Sequence, residues 1–253
     1  MSLQLNPAVF LAFFLGATRA LAWLVVSPPF NSRVIPFPVK TGLACALALP
    51  LAATLAPTLR AVSFDTPSLV GAITVQVVAG LALGFVAQLL FSALAAAGSL
   101  VDLFGGFTVA QAYDPFLNAQ TSVFGRFYDL LTITLLFAID GHLLLVRGFL
   151  TSFSAIPLRG PALNRLGALL THDLGLFFLS ALEVAAPLLA ALFVAQVVLG
   201  LLSRAAPSMN IFAVSFPFTV LVTIVLAGLA LPLVPGVVHS LLDDVLQRLA
   251  LFR

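Results

Sequence analysis

The run LLTITLLFAIDGHLLLV, Leu130–Val146, decides the fold class. It is apolar apart from two threonines and the Asp140-Gly141-His142 triplet set inside it. An acidic side chain at the centre of a membrane helix costs roughly 2.5–3.5 kcal/mol on insertion scales. That cost is tolerated where the group faces protein, water or a passing substrate. Two readings follow. Either Asp140 or His142 is buried and satisfied by a neighbouring helix, or the segment faces the inside of an assembly.

The rest of the chain points the same way. Of 253 residues, 62% are hydrophobic and 8% are charged; a soluble domain carries about 25% charged residues. The class is an integral membrane protein, or a subunit buried in a membrane-associated complex. A formal charge of +2, with basic residues scattered singly and no Lys/Arg run, gives no nucleic-acid signal. Cys45 stands alone, so no intramolecular disulfide or metal cluster can be built on cysteine. The first apolar run lacks a basic leader and reads as a retained span.

A hydrocarbon core needs about 20 apolar residues of helix. Six segments meet that length: Ala8–Ser27, Thr41–Val62, Leu69–Ala97, Val123–Phe149, Leu174–Leu202 and Ile211–Val234. The expected fold is all-α, with six long apolar segments. The joints are rich in proline: Ser27–Arg33 extended by Pro36 and Pro38, Pro157–Pro161, and Ser203–Pro207. Gly80, Gly84, Pro50, Pro187, Pro217 and Pro232 lie inside the spans and predict kinked or broken helices. Gly80 and Gly84 also form a small-xxx-small pair suited to close helix packing. From Val238, apolar residues recur at Leu241, Leu242, Val245, Leu246, Leu249 and Phe252. Asp243, Asp244, Gln247 and Arg248 fill the other face. This predicts a C-terminal amphipathic helix. The Lys/Arg balance between the two sides is too even to orient the spans.

Two segments carry chemistry of interest. If Val123–Phe149 is one continuous helix, Arg126, Asp129, Asp140 and Arg147 fall on a single face. Such a buried polar stripe serves to lock helices, to meet another subunit, or to pass ions. Between Gly98 and Ser122 lies the longest stretch that does not read as an apolar span. It combines Gly105-Gly106 with the aromatics Phe107, Tyr113 and Phe116 and the turn dipeptide Asp114-Pro115. It reads either as a surface loop tucked onto helices or as a plug, mobile at its glycines and filled by its aromatics. At Ser203–Met209, Arg204 follows an apolar run, where a cation complements a helix C-terminus. Pro207 then stops the helix, which predicts a structural turn at a partner interface. The phosphate-loop, zinc-protease and serine-hydrolase motifs are all absent. His142, His172 and His239 are isolated from one another in the sequence. No catalytic constellation, metal site or cofactor is expected.

Four elements occur in a telling order: Ser27–Leu43 (SPPFNSRVIPFPVKTGL), Asp114-Pro115, Phe137–His142 ending in Asp-Gly-His, and Gly200–Phe212 (GLLSRAAPSMNIF) continuing to Phe216-Pro217. Together they resemble the FliR family of flagellar export-gate proteins, over nearly the whole chain. Its injectisome relatives are the alternative; the Asp-Pro and Asp-Gly-His elements favour the flagellar branch. The resemblance implies a single domain of bent helical hairpins, with residues 1–172 like the partner FliP and 173–253 like the partner FliQ. It implies a structural channel subunit in the flagellar basal body of the bacterial inner membrane. There it would work with FliP, FliQ, FlhB and FlhA and pass unfolded flagellar substrates. It implies that residues 104–124 contribute to the channel plug. The sequence given ends at Arg253, and the expectation is a chain not fused to FlhB. Two other classes are kept in view. A proton-coupled secondary transporter would use Asp140 and His142 as a relay, with Pro187 or Pro217 breaking a helix at the substrate. A membrane enzyme would need a nucleophile–base pair that the sequence does not offer.

Overall fold

Prolines and short polar side chains set most helix starts. The structure, a computed structural model, describes residues 7–59, 65–108, 122–155, 158, 163–205 and 210–250. Helix α1 (Pro7–Val26) opens on a proline and stops before Ser27-Pro28-Pro29. Helix α2 (Phe37–Leu55) starts after Pro36, whose extended backbone (φ −60°, ψ 145°) and missing N–H suit an entry position. A short 3-10 turn, Ala56–Leu59, follows it. Next come α3 (Thr66–Phe104), α4 (Val123–Ala138), α5 (Gly141–Ala155), α6 (Leu163–Ala205) and α7 (Ile211–Ala230). Ser122 caps α4 by accepting from Gly125 N, and Asn210 caps α7 by accepting from Ala213 N. A 3-10 turn, Leu231–Leu233, leads into α8 (Val234–Ala250). Among the described residues there is no strand, so the fold class is all-α as expected.

Among the described residues, five helical stretches are long and apolar enough to cross a membrane: Pro7–Val26, Phe37–Leu55, Thr66–Phe104, Leu174–Ala205 and Ala213–Asp244, the last running from α7 through the 3-10 turn into α8. The expected sixth segment, Val123–Phe149, is not one helix. It breaks between α4 and α5 at Ile139-Asp140, where Asp140 takes a left-handed conformation (φ 55°). Residues in that conformation cannot continue a right-handed helix. The prolines behave in the opposite way. Pro50, Pro187 and Pro217 each sit inside a helix that is not interrupted; Pro232 alone coincides with a change, the 3-10 turn before α8. The amphipathic C-terminal segment is helical, with Val238, Leu241 and Leu242 buried and Asp243 and Asp244 exposed.

The chain divides into two compact units. One comprises Met1–Leu89, Asp140–Leu174 and Leu242–Arg253, the other Leu90–Ile139 and Gly175–Leu241. In the first, α1 lies close against α2 through small residues: a Cβ on Gly16 would stand 3.5 Å from Ala48 Cβ. It lies closer still to α3. A Cβ on Gly84 would stand 2.9 Å from the carbonyl oxygen of Trp23, and Gly80 is pressed in the same way against the carbonyl of Arg19. The small-xxx-small pair is therefore a helix crossing, as its spacing suggested. Trp23 stacks on Phe149 of α5 with ring centroids 4.6 Å apart. In the second unit, Val101, Leu188 and Ala227 form one core cluster, with Phe124, Leu226 and Ala230 packed against it.

Candidate functional site

The segment expected to plug a channel has both of its described ends joined. Gly98 lets α3 approach the start of α4, since a Cβ there would meet Phe124 O at 2.5 Å. One turn on, Asp102 is fully buried. Its carboxylate accepts hydrogen bonds from Ser122 Oγ and from the backbone N–H of Phe124, the latter at 3.0 and 3.2 Å to its two oxygens. Ser122 Oγ in turn accepts from Gly125 N at 2.8 Å. A carboxylate at the first turn of α4 complements the positive end of the helix dipole and satisfies N–H groups that have no helical partner. Above this clamp, Gly106 takes φ 82°, and Phe107 meets Phe124 edge-on with ring centroids 5.2 Å apart. Gln196 Nε2 of α6 donates at 2.9 Å to Phe104 O, one of the last carbonyls of α3. A groove of about 450 Å³ opens beside it, lined by residues that include Leu103, Gly106, Gly200 and Phe216.

The first unit holds a second buried polar arrangement. Arg19 of α1 is wholly buried. Its Nε donates to Gln76 Oε1 of α3 at 2.7 Å, and its Nη1 approaches Ser152 O of α5 at 3.4 Å. The guanidinium lies 4.2 Å from the centroid of the Phe153 ring. Gln76 Nε2 donates to Leu158 O at 3.1 Å. One planar cation thus ties three helices together.

Of the expected plug residues, Phe107 is described and half-buried; Tyr113, Asp114, Pro115 and Phe116 lie outside the described residues. The polar stripe needs correction. Its four members share one face only on an unbroken helix, and the break at Asp140 removes that helix. Arg126 and Asp129 do pair, at 3.1 Å on α4, but their side chains are 61% and 42% exposed in this chain. Asp140 and Arg147 are exposed as well. Arg204 is exposed in the last turn of α6, and Pro207 lies outside the described residues. Asp102, Ser122 and Arg19 were not singled out from the sequence. The rule that drew attention to Asp140, a charge inside an apolar run, applies equally to Arg19 and Asp102. Among the described residues no three His, Cys, Asp or Glu side chains come together as a metal ion would need.

Residues 10–245 match the bacterial export proteins, family 1. The chain belongs to that family. Its relatives within the family include the flagellar biosynthetic protein FliR of Pectobacterium carotovorum subsp. carotovorum, 34% identical over 94% of this chain and 91% of the relative. The FliR protein of Escherichia coli K12 is 33% identical over the same shares. The Yop proteins translocation protein T of Yersinia pestis is 31% identical over 82% of this chain and 80% of its own length. This export protein has helices that fit a membrane location, and the clamp and the Arg19 arrangement both lie within its matched residues.

Proposed function

We propose that this chain is a non-catalytic channel subunit that helps to build and close a protein-conducting pore in the bacterial inner membrane. Family membership and FliR relatives covering 94% of the chain make it a component of the flagellar type III export gate, working with other export proteins. The finer reading names FliP, FliQ, FlhB and FlhA as those partners and unfolded flagellar proteins as the cargo. Residues 104–124, with Phe107, Tyr113, Asp114, Pro115 and Phe116, plug the pore on a base held by Asp102. In the assembly, Arg126, Asp129, Asp140 and Arg147 face protein or a water-lined interior. Arg204 and Pro207 form a turn against a partner.

One observation carries the subunit reading. The apolar stretches Leu174–Ala205 and Ala213–Asp244 are 32 residues each, yet only 22% and 17% of their most apolar windows are buried within the chain. At 1.5 Å per residue such a stretch is about 48 Å long. A 40° tilt projects it to about 37 Å, still more than the roughly 30 Å of hydrocarbon. Each stretch therefore extends beyond the hydrocarbon, and partner helices of the gate would cover the exposed apolar residues that lipid does not.

The test is co-purification. Expressed with FliP and FliQ, the chain should leave detergent extracts as one stable complex; expressed alone, it should aggregate. A chain that is monodisperse alone and never recovered with FliP or FliQ would overturn the reading.

A further inference from the structure

Helix α6 turns two very different faces outward and inward. Ala181, Ala185, Leu188 and Leu192 are buried and recur at helical spacing on one side. Glu183 lies opposite them, 180° round the helix by the 100° step, and it is exposed. Around it on the same side stand Leu179, Val194, Val197 and Leu201, all exposed large apolar residues. Glu183 is nine residues inside the apolar stretch that begins at Leu174, a depth of about 14 Å along the axis. A short carboxylate side chain does not reach from there to water as a lysine can. An ionisable group at such a place pairs with another group inside the membrane or faces a cavity.

A second feature sharpens the site. Pro187 sits four residues on, also exposed, in a helix that continues through it. Proline has no N–H, so it brings no hydrogen bond to the carbonyl of residue i−4, which is Glu183. The same residue therefore offers two acceptors, its carboxylate and its own main-chain carbonyl, at one spot on an otherwise apolar face. Lipid tails supply no donor. The complement is a donor-rich cation on an apolar helix, and an arginine fork fits two neighbouring oxygens best.

We propose that the exposed face of α6 at Glu183 and Pro187 is a subunit-docking surface that receives an apolar helix bearing an arginine or lysine from a different subunit of the gate. It rests on the proposed function insofar as the helix comes from the same assembly.

The probe is dicyclohexylcarbodiimide, a lipid-soluble reagent for membrane carboxyls, applied to membranes with the full chain. Glu183 should be labelled when the chain is expressed alone and protected at least tenfold when the other gate components are present. Labelling in both cases overturns the docking surface. Protection in both cases also overturns it, because the cover then comes from this chain or a second copy. Two variants read the acceptors separately. Glu183→Leu should lower recovery of the complex at least tenfold. Pro187→Ala restores the backbone N–H and favours the isolated helix, yet should lower recovery about twofold to fivefold. Recovery of either variant at the wild-type level would overturn the proposal. Co-purification of the wild-type chain tests the subunit reading itself, so failure of one is not failure of the other.

Discussion

Asp140 shows how one residue can be read for the wrong property. In the sequence it is a charge in an apolar run; in the structure it is the residue at which a helix stops, with φ 55°. Ile139 N still donates to Leu135 O, closing the last turn of α4, while Asp140 O accepts from Leu143 N and opens α5. The left-handed region costs ordinary L-residues about 1–2 kcal/mol, less for Asp and Asn and nothing for Gly. Asp140→Gly should therefore keep the thermal stability of the purified gate and swimming in soft agar. Asp140→Val should lose about 1–2 kcal/mol of stability and make motility temperature-sensitive, because a β-branched side chain fits that backbone worst. A proton relay through Asp140 predicts the reverse for glycine, namely stable protein and no export. The residue signal that marks the break was present: Asp-Gly is a turn dipeptide. Its meaning was masked by apolar residues on both sides, which read as one continuous span.

At the scale of helices, length and apolar content were legible and interruptions were not. Runs of about 20 apolar residues located α1, α2, α3, α6 and α7, because burying such a surface overrides weak local preferences. Proline was a poor guide inside these runs. Pro50, Pro187 and Pro217 remove one hydrogen bond each but do not end their helices, as tertiary packing can make good the loss. Glycine spacing was the better guide. On α3 the 80/84 pair marks the crossing with α1, and its effect can be separated from helix propensity. Gly84→Ala places a methyl group 2.9 Å from Trp23 O and 3.0 Å from Val26 Cβ; such overpacking costs about 1–3 kcal/mol. Gly71, on the same helix, has nothing within 4 Å of an added Cβ. Gly71→Ala should be neutral or stabilising by up to about 1 kcal/mol. Thermal unfolding of the detergent-purified complex should separate the two variants clearly. Equal stability would mean that α1 and α3 do not meet at Gly84. The site was legible to a lesser degree. The aromatic and glycine content drew attention to residues 98–122, whose first seven belong to α3. The Asp102–Ser122–Phe124 clamp joins residues 20 and 22 apart in sequence, and no local pattern encodes such a pair.

Across the whole molecule, the consequence of the clamp is that it joins α3 to α4 without help from the residues between its two ends. Asp102 is buried and its hydrogen bonds run to Ser122 and Phe124, so residues 109–120 are not needed to keep α3 beside α4. A deletion of 109–120 bridged by a short Gly-Ser linker should leave recovery of the complex within about twofold of wild type, and should raise the small-ion permeability of cells carrying the whole gate. Asp102→Leu should act differently. It removes the partner of the part-buried Ser122 hydroxyl and Phe124 N–H, at up to about 1–3 kcal/mol for each group left unsatisfied, and should reduce recovery as well as tightness. If the loop deletion assembles normally and conductance stays at the wild-type level, residues 109–120 do not seal the channel. The clamp would then serve only to join two helices. If the deletion fails to assemble while Asp102→Leu assembles, the order of dependence drawn from the geometry is reversed, and the loop itself must hold the complex together.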